Sequence, residues 1–444
     1  MTQIWRWIAG VTGSMLSGSL LLGGCLAEKI DPDRAADRLA KAQAQPLATR
    51  PQKPTQQPVQ QPVQQPQPSN QQFLVLSGGG SPESNEIAIE KNVLYFQRTL
   101  KNLGFNPQKA TIWFANGNSG EETVRFLDNR KKETFKAPEI PNLNGASTIE
   151  NLKQSLQKQQ HLKPLFFYFT GHGYHNKEDE NDNAMILWED RFLTVQKFTQ
   201  MLDQLPLKKP VVSVMVQCYA GAFANLIYKG GNPQNPVAPH DRCGFFATVK
   251  QLPSVGCTPE VNEADYQDYS SSFFAGLSGI NRVGKPVSSA DYDRNGRISF
   301  REAHAFAKVD EQAADLPIST SEAWLQEQLS ETDRDRILEK PINQWLKFAR
   351  PDQRHVVATL TQRLKFNPQL SLSTNLERNP LKESDELANT YAGRLTMELW
   401  NIGAEQKIRQ FSRKAKSLNP KAKPSPAIVI LEKLLRCEAA SLTS

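Results

Sequence analysis

The chain has 444 residues, 39% of them hydrophobic and 22% charged, with a mean hydropathy of -0.53. At about 100–200 residues per domain, that length holds two or three units. Strong apolar segments exclude a fully disordered chain; no apolar run after residue 27 is long enough for a multi-span membrane protein, and five cysteines are too few for a disulfide scaffold. The net charge of +7 gathers at one end, where 17 Lys/Arg face 9 Asp/Glu from Lys347 onward. Such a tail can mean nucleic acid, an acidic envelope polymer or a lipid surface, but a solvated helical face is the favoured, bland reading.

Residues 1–25 read as an export signal. Arg6 is the n-region charge, an apolar stretch runs from Trp7 to Leu22, and Leu22-Gly23-Gly24-Cys25 closes it. Small residues followed by Cys resemble the bacterial lipobox, which would make Cys25 the lipidated first residue of a protein held in the cell envelope. An ordinary signal peptide with an incidental Cys is the alternative. Residues 26–72 read as a tether, because Gln45 to Gln72 is built largely from Pro and Gln with no apolar periodicity.

From residue 73 the pattern alternates. Phe73–Leu76 reads as a buried strand, Ile87–Leu103 as a helix and Ala110–Ala115 as a strand. The long polar stretch 116–145 reads as a flexible insertion. Thr148–Gln159 is a helix capped by Ser147 or Thr148, and Leu165–Phe169 a fully apolar third strand. Met185–Trp188 reads as an edge strand, Thr194–Leu205 as a helix, Val211–Val216 as the fourth strand and Tyr219–Tyr228 as a helix. Phe245–Val249 is the fifth strand, and Tyr269–Leu277 another helix. Strands alternating with helices predict an α/β fold with a mostly parallel sheet, whose function gathers at the carboxyl ends of the strands.

Two of those ends carry chemistry. The third strand runs into Thr170-Gly171-His172-Gly173-Tyr174 and the fourth into Gln217-Cys218-Tyr219-Ala220-Gly221. A thiol becomes a nucleophile when an imidazole or a helix N-terminus favours its thiolate. The glycines admit a substrate backbone, and the amides of Gly173 and Cys218 are natural oxyanion donors. Taken alone, each residue reads as structural: a small buried Cys, a loop His satisfied by backbone.

An apolar strand ending in His-Gly, then about forty-five residues later one ending in Cys-Tyr-Ala-Gly, resembles the clan CD cysteine peptidases, most closely the legumain and GPI-transamidase family. The resemblance covers about Phe73 to Leu277. It implies a caspase-like three-layer sandwich, with Cys218 as nucleophile and His172 as base or proton shuttle. It also implies Asn85 as an orienting group, with Ser84 as its rival. It does not extend to the acidic residues with which legumains help read P1, since Gly171 and Val216 stand there. His175 reads as a solvent-exposed neighbour, and Asn181, Asp182 and Asn183 as a loop over the site.

Asp291-Tyr292-Asp293-Arg294-Asn295-Gly296-Arg297-Ile298-Ser299-Phe300-Arg301-Glu302 matches the twelve-residue EF-hand loop. The ligands would be Asp291, Asp293, Asn295, the Arg297 carbonyl, Ser299 and Glu302. Only the exiting helix is recognisable, so the loop reads as half an EF-hand holding structural calcium; a solvated acidic turn is the bland alternative. No organic cofactor is expected. Cys243 and Cys257 flank the fifth strand and are candidates for pairing, while Cys437 has no evident partner.

The expected units are a signal (1–25), a tether (26–72), a peptidase domain (73–280), a calcium loop with its helix (281–320) and a basic, mainly helical C-terminal region (321–444). The leading reading is an exported, lipid-anchored cysteine endopeptidase or transpeptidase. It would take peptide or protein substrates, touch the membrane through Cys25 and bind no nucleic acid. The rival is a non-catalytic calcium-binding envelope lipoprotein on the same fold. A third reading is a basic scaffold binding anionic polymers through Lys407 to Lys423.

Overall fold

The computed structural model of the protein describes residues 71–158, 162–260, 262–264, 266–421 and 423–442. The expected export signal, Cys25 and almost all of the tether lie outside the described residues.

The elements begin with strand β1 (Gln72–Gly78), helix α1 (Ile87–Asn102) and strand β2 (Thr111–Phe114). A hairpin of β3 (Val124–Leu127) and β4 (Glu133–Lys136) follows, then α2 (Ile149–Lys158) and β5 (Leu165–Gly171). Next come β6 (Gly173–Tyr174), β7 (Ala184–Leu187), β8 (Arg191–Thr194), α3 (Val195–Leu202), β9 (Val211–Val216) and β10 (Arg242–Phe246). Helices α4 (Tyr269–Ser278) and α5 (Phe300–Asp310) lead to the two-residue strand β11 (Ile318–Ser319). The chain closes with α6 (Thr320–Glu327), α7 (Glu331–Leu338), α8 (Ile342–Trp345), α9 (Pro351–Arg363), α10 (Leu372–Arg378), α11 (Glu386–Leu418) and α12 (Pro426–Glu438).

Among the described residues the central sheet has six strands in the order β11-β10-β9-β5-β1-β2, parallel except for β11. Its middle strands β1, β5 and β9 are apolar along most of their length because both faces are covered. Along β1 and β5, Phe73, Val75, Phe166 and Tyr168 join one core with Phe96 of α1 and Phe274 of α4. Leu74, Leu76, Phe167 and Phe169 join the other with Leu152 of α2 and Phe198 of α3. Alternation along an extended strand thus builds helix, sheet and helix as three layers. The second core runs on without a break into the C-terminal helices, through Trp324, Leu395 and Leu434.

Four local expectations are corrected. The stretch 116–145 is tied down: it holds the β3–β4 hairpin, and its polar backbone is satisfied by Arg125 N to Asn85 O (2.9 Å) and Leu127 N to Pro259 O (2.9 Å). Met185–Trp188 does not edge the central sheet, because β7 lies inside a separate three-stranded sheet, β6-β7-β8. The segment after Cys218 is a 3-10 helix, Ala220–Ile227, entered through Tyr219 at φ +61°. The fifth strand starts at Arg242, whose buried guanidinium meets Asp203 (2.7 Å) and the Tyr228 carbonyl (3.1 Å) through Nη2. That pairing places an arginine where apolar patterning put none.

The cysteine pairing differs as well. Cys243 is bonded to Cys437, joining β10 to α12, and Cys257 is not its partner. The sequence separation of 194 residues concealed a pairing that the sheet and the last helix bring together.

Candidate active site

Parallel register sets the site. Thr170 of β5 pairs with Val216 of β9, so His172 and Cys218 each stand two residues past the same rung. The two segments touch, because a Cβ built on Gly173 would lie 2.0 Å from the Cys218 carbonyl oxygen. Only a glycine after His172 permits that approach.

His172 is 4% exposed. Its Nε2 lies 2.8 Å from the Ser84 carbonyl oxygen and 2.9 Å from Glu86 Oε2. A carbonyl oxygen only accepts, so Nε2 carries the proton, and Nδ1 is the nitrogen able to take one up. Glu86 was missed in the sequence reading. It closes the loop from β1 into α1, at the same edge of the sheet, and its other oxygen accepts from Arg125 Nη2 at 2.8 Å. Burial pushes the Glu86 carboxyl up, but the hydrogen bond and charge of His172, with the Arg125 hydrogen bond, hold it below its ordinary value. Asn85 does other work: its Oδ1 accepts from Gly79 N (3.0 Å), and its Nδ2 donates to the Thr123 carbonyl (3.2 Å). The place beside the imidazole expected for Asn85 belongs to its neighbour, and Ser84 contributes through its backbone.

Cys218 is 7% exposed. The Ser254 amide is aimed at its sulfur (N to Sγ 3.4 Å), and the Ser254 carbonyl lies 3.6 Å away. The left-handed turn at Tyr219 drops the chain into the 3-10 helix, whose N-terminus begins beside the nucleophile position. A pocket opens next to the sulfur, lined by Gln217, Ser254, Cys257, Asn92 and Asp268 among others. Gln217 is 2% exposed, and neither of its carboxamide atoms has a partner among the described residues. The far side of the pocket is braced: Asp315 accepts from Ser254 Oγ (2.7 Å) and Val255 N (3.0 Å), while Asp268 caps α4 through Ser271 N (2.8 Å).

The loop over the site is anchored. Asn183 Nδ2 donates to the carbonyls of Tyr219 (3.4 Å) and Lys250 (3.0 Å), and Lys250 Nζ reaches Asn181 Oδ1 (2.7 Å). His175 stacks on the Tyr219 ring at 4.6 Å, half-buried rather than fully exposed.

In the acidic loop, Asp291, Asp293 and Glu302 bring their carboxylate oxygens within 4.8 Å of one another. Asp291 Oδ2 accepts from Gly296 N at 2.9 Å, and Gly296 stands at φ +81°, where a side chain would be strained. Asn295 Oδ1 accepts from Arg297 N (2.9 Å), and Ser299 Oγ donates to Glu302 Oε2 (2.7 Å). The oxygen-only donor set fits a hard divalent cation. Residues 279–290, directly ahead of the loop, hold no helix, and α5 begins within its last turn at Phe300.

Residues 87–297 match the family model of the caspase domain, a span that holds both His172 and Cys218. The match supports the caspase-like cysteine peptidase clan for this segment, and with it a cysteine-peptidase type of function acting on protein or peptide. The observed sandwich and the helical region after it agree with that fold. No curated protein matches the chain. A crystal structure of a protein from Geobacter sulfurreducens is similar over 53% of this chain and 88% of its own, at 11% identity with a TM-score of 0.30.

Proposed function

We propose that the protein is an exported, lipid-anchored cysteine endopeptidase or transpeptidase of the legumain-like type, acting through Cys218 and His172. The observation that carries this reading is the pairing of strand ends: a cysteine whose sulfur receives the Ser254 amide, and a histidine whose Nε2 proton is anchored by two acceptors, past one rung of the sheet. The Cys218 thiolate attacks the scissile carbonyl carbon, and the amides of Gly173 and Cys218 receive the oxyanion. The C–N bond breaks as His172 Nδ1 delivers a proton to the leaving amine. Water or an amine then attacks the thioester, Nδ1 takes up its proton, and the thiolate is released. The pocket beside Gln217 receives the substrate side chain next to the scissile bond.

The test is labelling of the full chain by a peptidyl acyloxymethyl ketone library, comparing wild type with Cys218→Ala and His172→Ala. Labelling that needs Cys218 and weakens without His172 is expected. Folded, reduced protein that no probe labels at Cys218 would instead favour the non-catalytic lipoprotein. Export and anchoring rest on the sequence around Cys25, and the Cys243–Cys437 disulfide supports an oxidising compartment. Metabolic labelling with palmitate that persists in Cys25→Ser would overturn the anchor. We also infer that the loop from Asp291 to Glu302 binds structural calcium; the Asp291–Gly296 contact and the convergent carboxylates support it.

A further inference from the structure

We propose that Glu86, held by Arg125 of the β3–β4 hairpin, is a positioning residue that fixes the proton-bearing nitrogen of His172 and stabilises its imidazolium. The kinetic consequence rests on the peptidase reading above; the placement of the proton does not.

Three observations carry it. Glu86 is a carboxylate 5% exposed, and His172 an imidazole 4% exposed, so their 2.9 Å contact is poorly screened by water. Nε2 meets two acceptors at once, the Ser84 carbonyl and Glu86 Oε2. A ring flip would turn a carbon toward both of them, so the anchored orientation is the one that gives Nδ1 to the reaction. Glu86 is itself gripped. Arg125 Nη2 holds its Oε1 at 2.8 Å, while Arg125 Nη1 holds Glu133 at 2.7 Å on the facing strand of the hairpin. Backbone joins the same parts, because Arg125 N donates to the Asn85 carbonyl. The charged groups in line are therefore Glu133, Arg125, Glu86 and His172, and the hairpin serves as the bracket of the base.

The chemistry follows from charge. During acylation the imidazole must hold a proton beside a thiolate and then release it to the leaving amine. A carboxylate at hydrogen-bond distance favours the protonated ring, typically by about 1–3 pH units for a close opposite charge. Arg125 keeps Glu86 ionised and pointed at the ring.

The experiment uses the full chain with ¹⁵N-labelled histidine, the His172 signals being assigned by their loss in His172→Asn. Wild type is compared with Glu86→Gln, which keeps an acceptor oxygen and removes the charge, and with Glu86→Asp, which keeps the charge at shorter reach. Wild type should show the Nε2–H tautomer. Glu86→Gln should lower the His172 titration midpoint by about one unit, and Glu86→Asp should largely restore it. Cys218 alkylation by iodoacetamide, followed against pH, should rise about one unit later in Glu86→Gln, because a weaker imidazolium favours the thiolate less, a rate about tenfold lower on that rising limb. A His172 midpoint and tautomer unchanged in Glu86→Gln would overturn the proposal, whatever the probes do. If the midpoint moves but no substrate probe reacts at Cys218, the proposal stands and the peptidase reading falls. Should Glu86→Gln fail to fold, a His172 midpoint and tautomer unaltered in Arg125→Met, which releases the grip on Glu86, would count against the proposal equally.

Discussion

Gln217 sits one residue before the sulfur, almost fully buried, with its whole carboxamide unpartnered among the described residues. A buried amide without hydrogen bonds costs on the order of 1–3 kcal/mol, a penalty that a bound ligand can relieve. The pocket it lines is where a substrate side chain or backbone amide would lie. Gln217→Ala is therefore expected to raise KM about tenfold or more on a peptide substrate identified by probe labelling, and to leave kcat within a few-fold. Equal loss in kcat with KM unchanged would instead place the amide on the transition state. Much at this scale was legible in the sequence. His172 and Cys218 announce themselves because glycines and apolar strands frame them. Glu86 does not, since its partner lies 86 positions away and nothing local distinguishes one loop carboxylate from another. The only available signal was topological: a carboxylate at the carboxyl end of β1 shares an edge with those of β5 and β9.

At the scale of elements, hydrophobic period fixed the strands and helices well where burial is two-sided, and failed where polar residues are compensated from afar. Arg242 enters β10 because Asp203 receives its guanidinium, and the β3–β4 hairpin forms from a stretch without apolar alternation. The disulfide is an element-scale feature of the same kind. It joins β10 to α12, and α12 carries Glu438, which accepts from Ser321 N (2.7 Å) at the start of α6. Cys437→Ser should cost about 2–5 kcal/mol in urea unfolding. Reductant should lower the stability of wild type and leave the variant unchanged; equal sensitivity in both would mean that the bond carries no such load. The loop ahead of α5 gives a second element-scale prediction. With a dissociation constant near 1 mM, typical of lone exported sites, 10 mM calcium should add about 1.4 kcal/mol of stability. Magnesium at the same concentration should add less, and Asp291→Ala should abolish the calcium increment, read as a shift in thermal midpoint. A calcium effect that survives Asp291→Ala would place the ion elsewhere.

Across the whole molecule, the sandwich was readable because the middle strands β1, β5 and β9 are apolar along most of their length on both faces. How the C-terminal helices would pack was not readable, since their contacts depend on residues far along the chain, 79 positions for Arg394 to Asp315 and 194 for Cys437 to Cys243. Those helices share a core with the sheet and bring buried charge to it. Arg394 of α11 donates to the Asp315 and Glu311 carbonyls (2.9 and 2.8 Å) and to Glu311 Oε2 (3.2 Å). Burial pushes the Asp315 carboxyl up to about 7, and raises Glu311 strongly as well, the two acids lying together. An acid whose value is raised on folding binds its proton more tightly folded than unfolded. Its stabilising share is thus complete below the ordinary carboxylate range and is lost as pH climbs through about 7. Glu322 has the opposite sign. Burial pushes it up, but Lys308 and His304 outweigh that and hold it well below its ordinary value, so its share is lost as pH falls through the acid range. Stability should accordingly peak in weakly acidic solution and fall between pH 5 and 8. Because Asp315 accepts from Ser254 and Val255, bonds that favour its ionised form, the buried charge arises in the pocket wall beside Cys218 over the same interval. Asp315→Asn should cut the loss between pH 5 and 8 by about 1–3 kcal/mol, measured by urea unfolding. It should also flatten the pH dependence of hydrogen exchange in residues 254–257. A full pH slope retained in Asp315→Asn would assign the titration to another buried acid and uncouple the helical region's charge from the pocket wall.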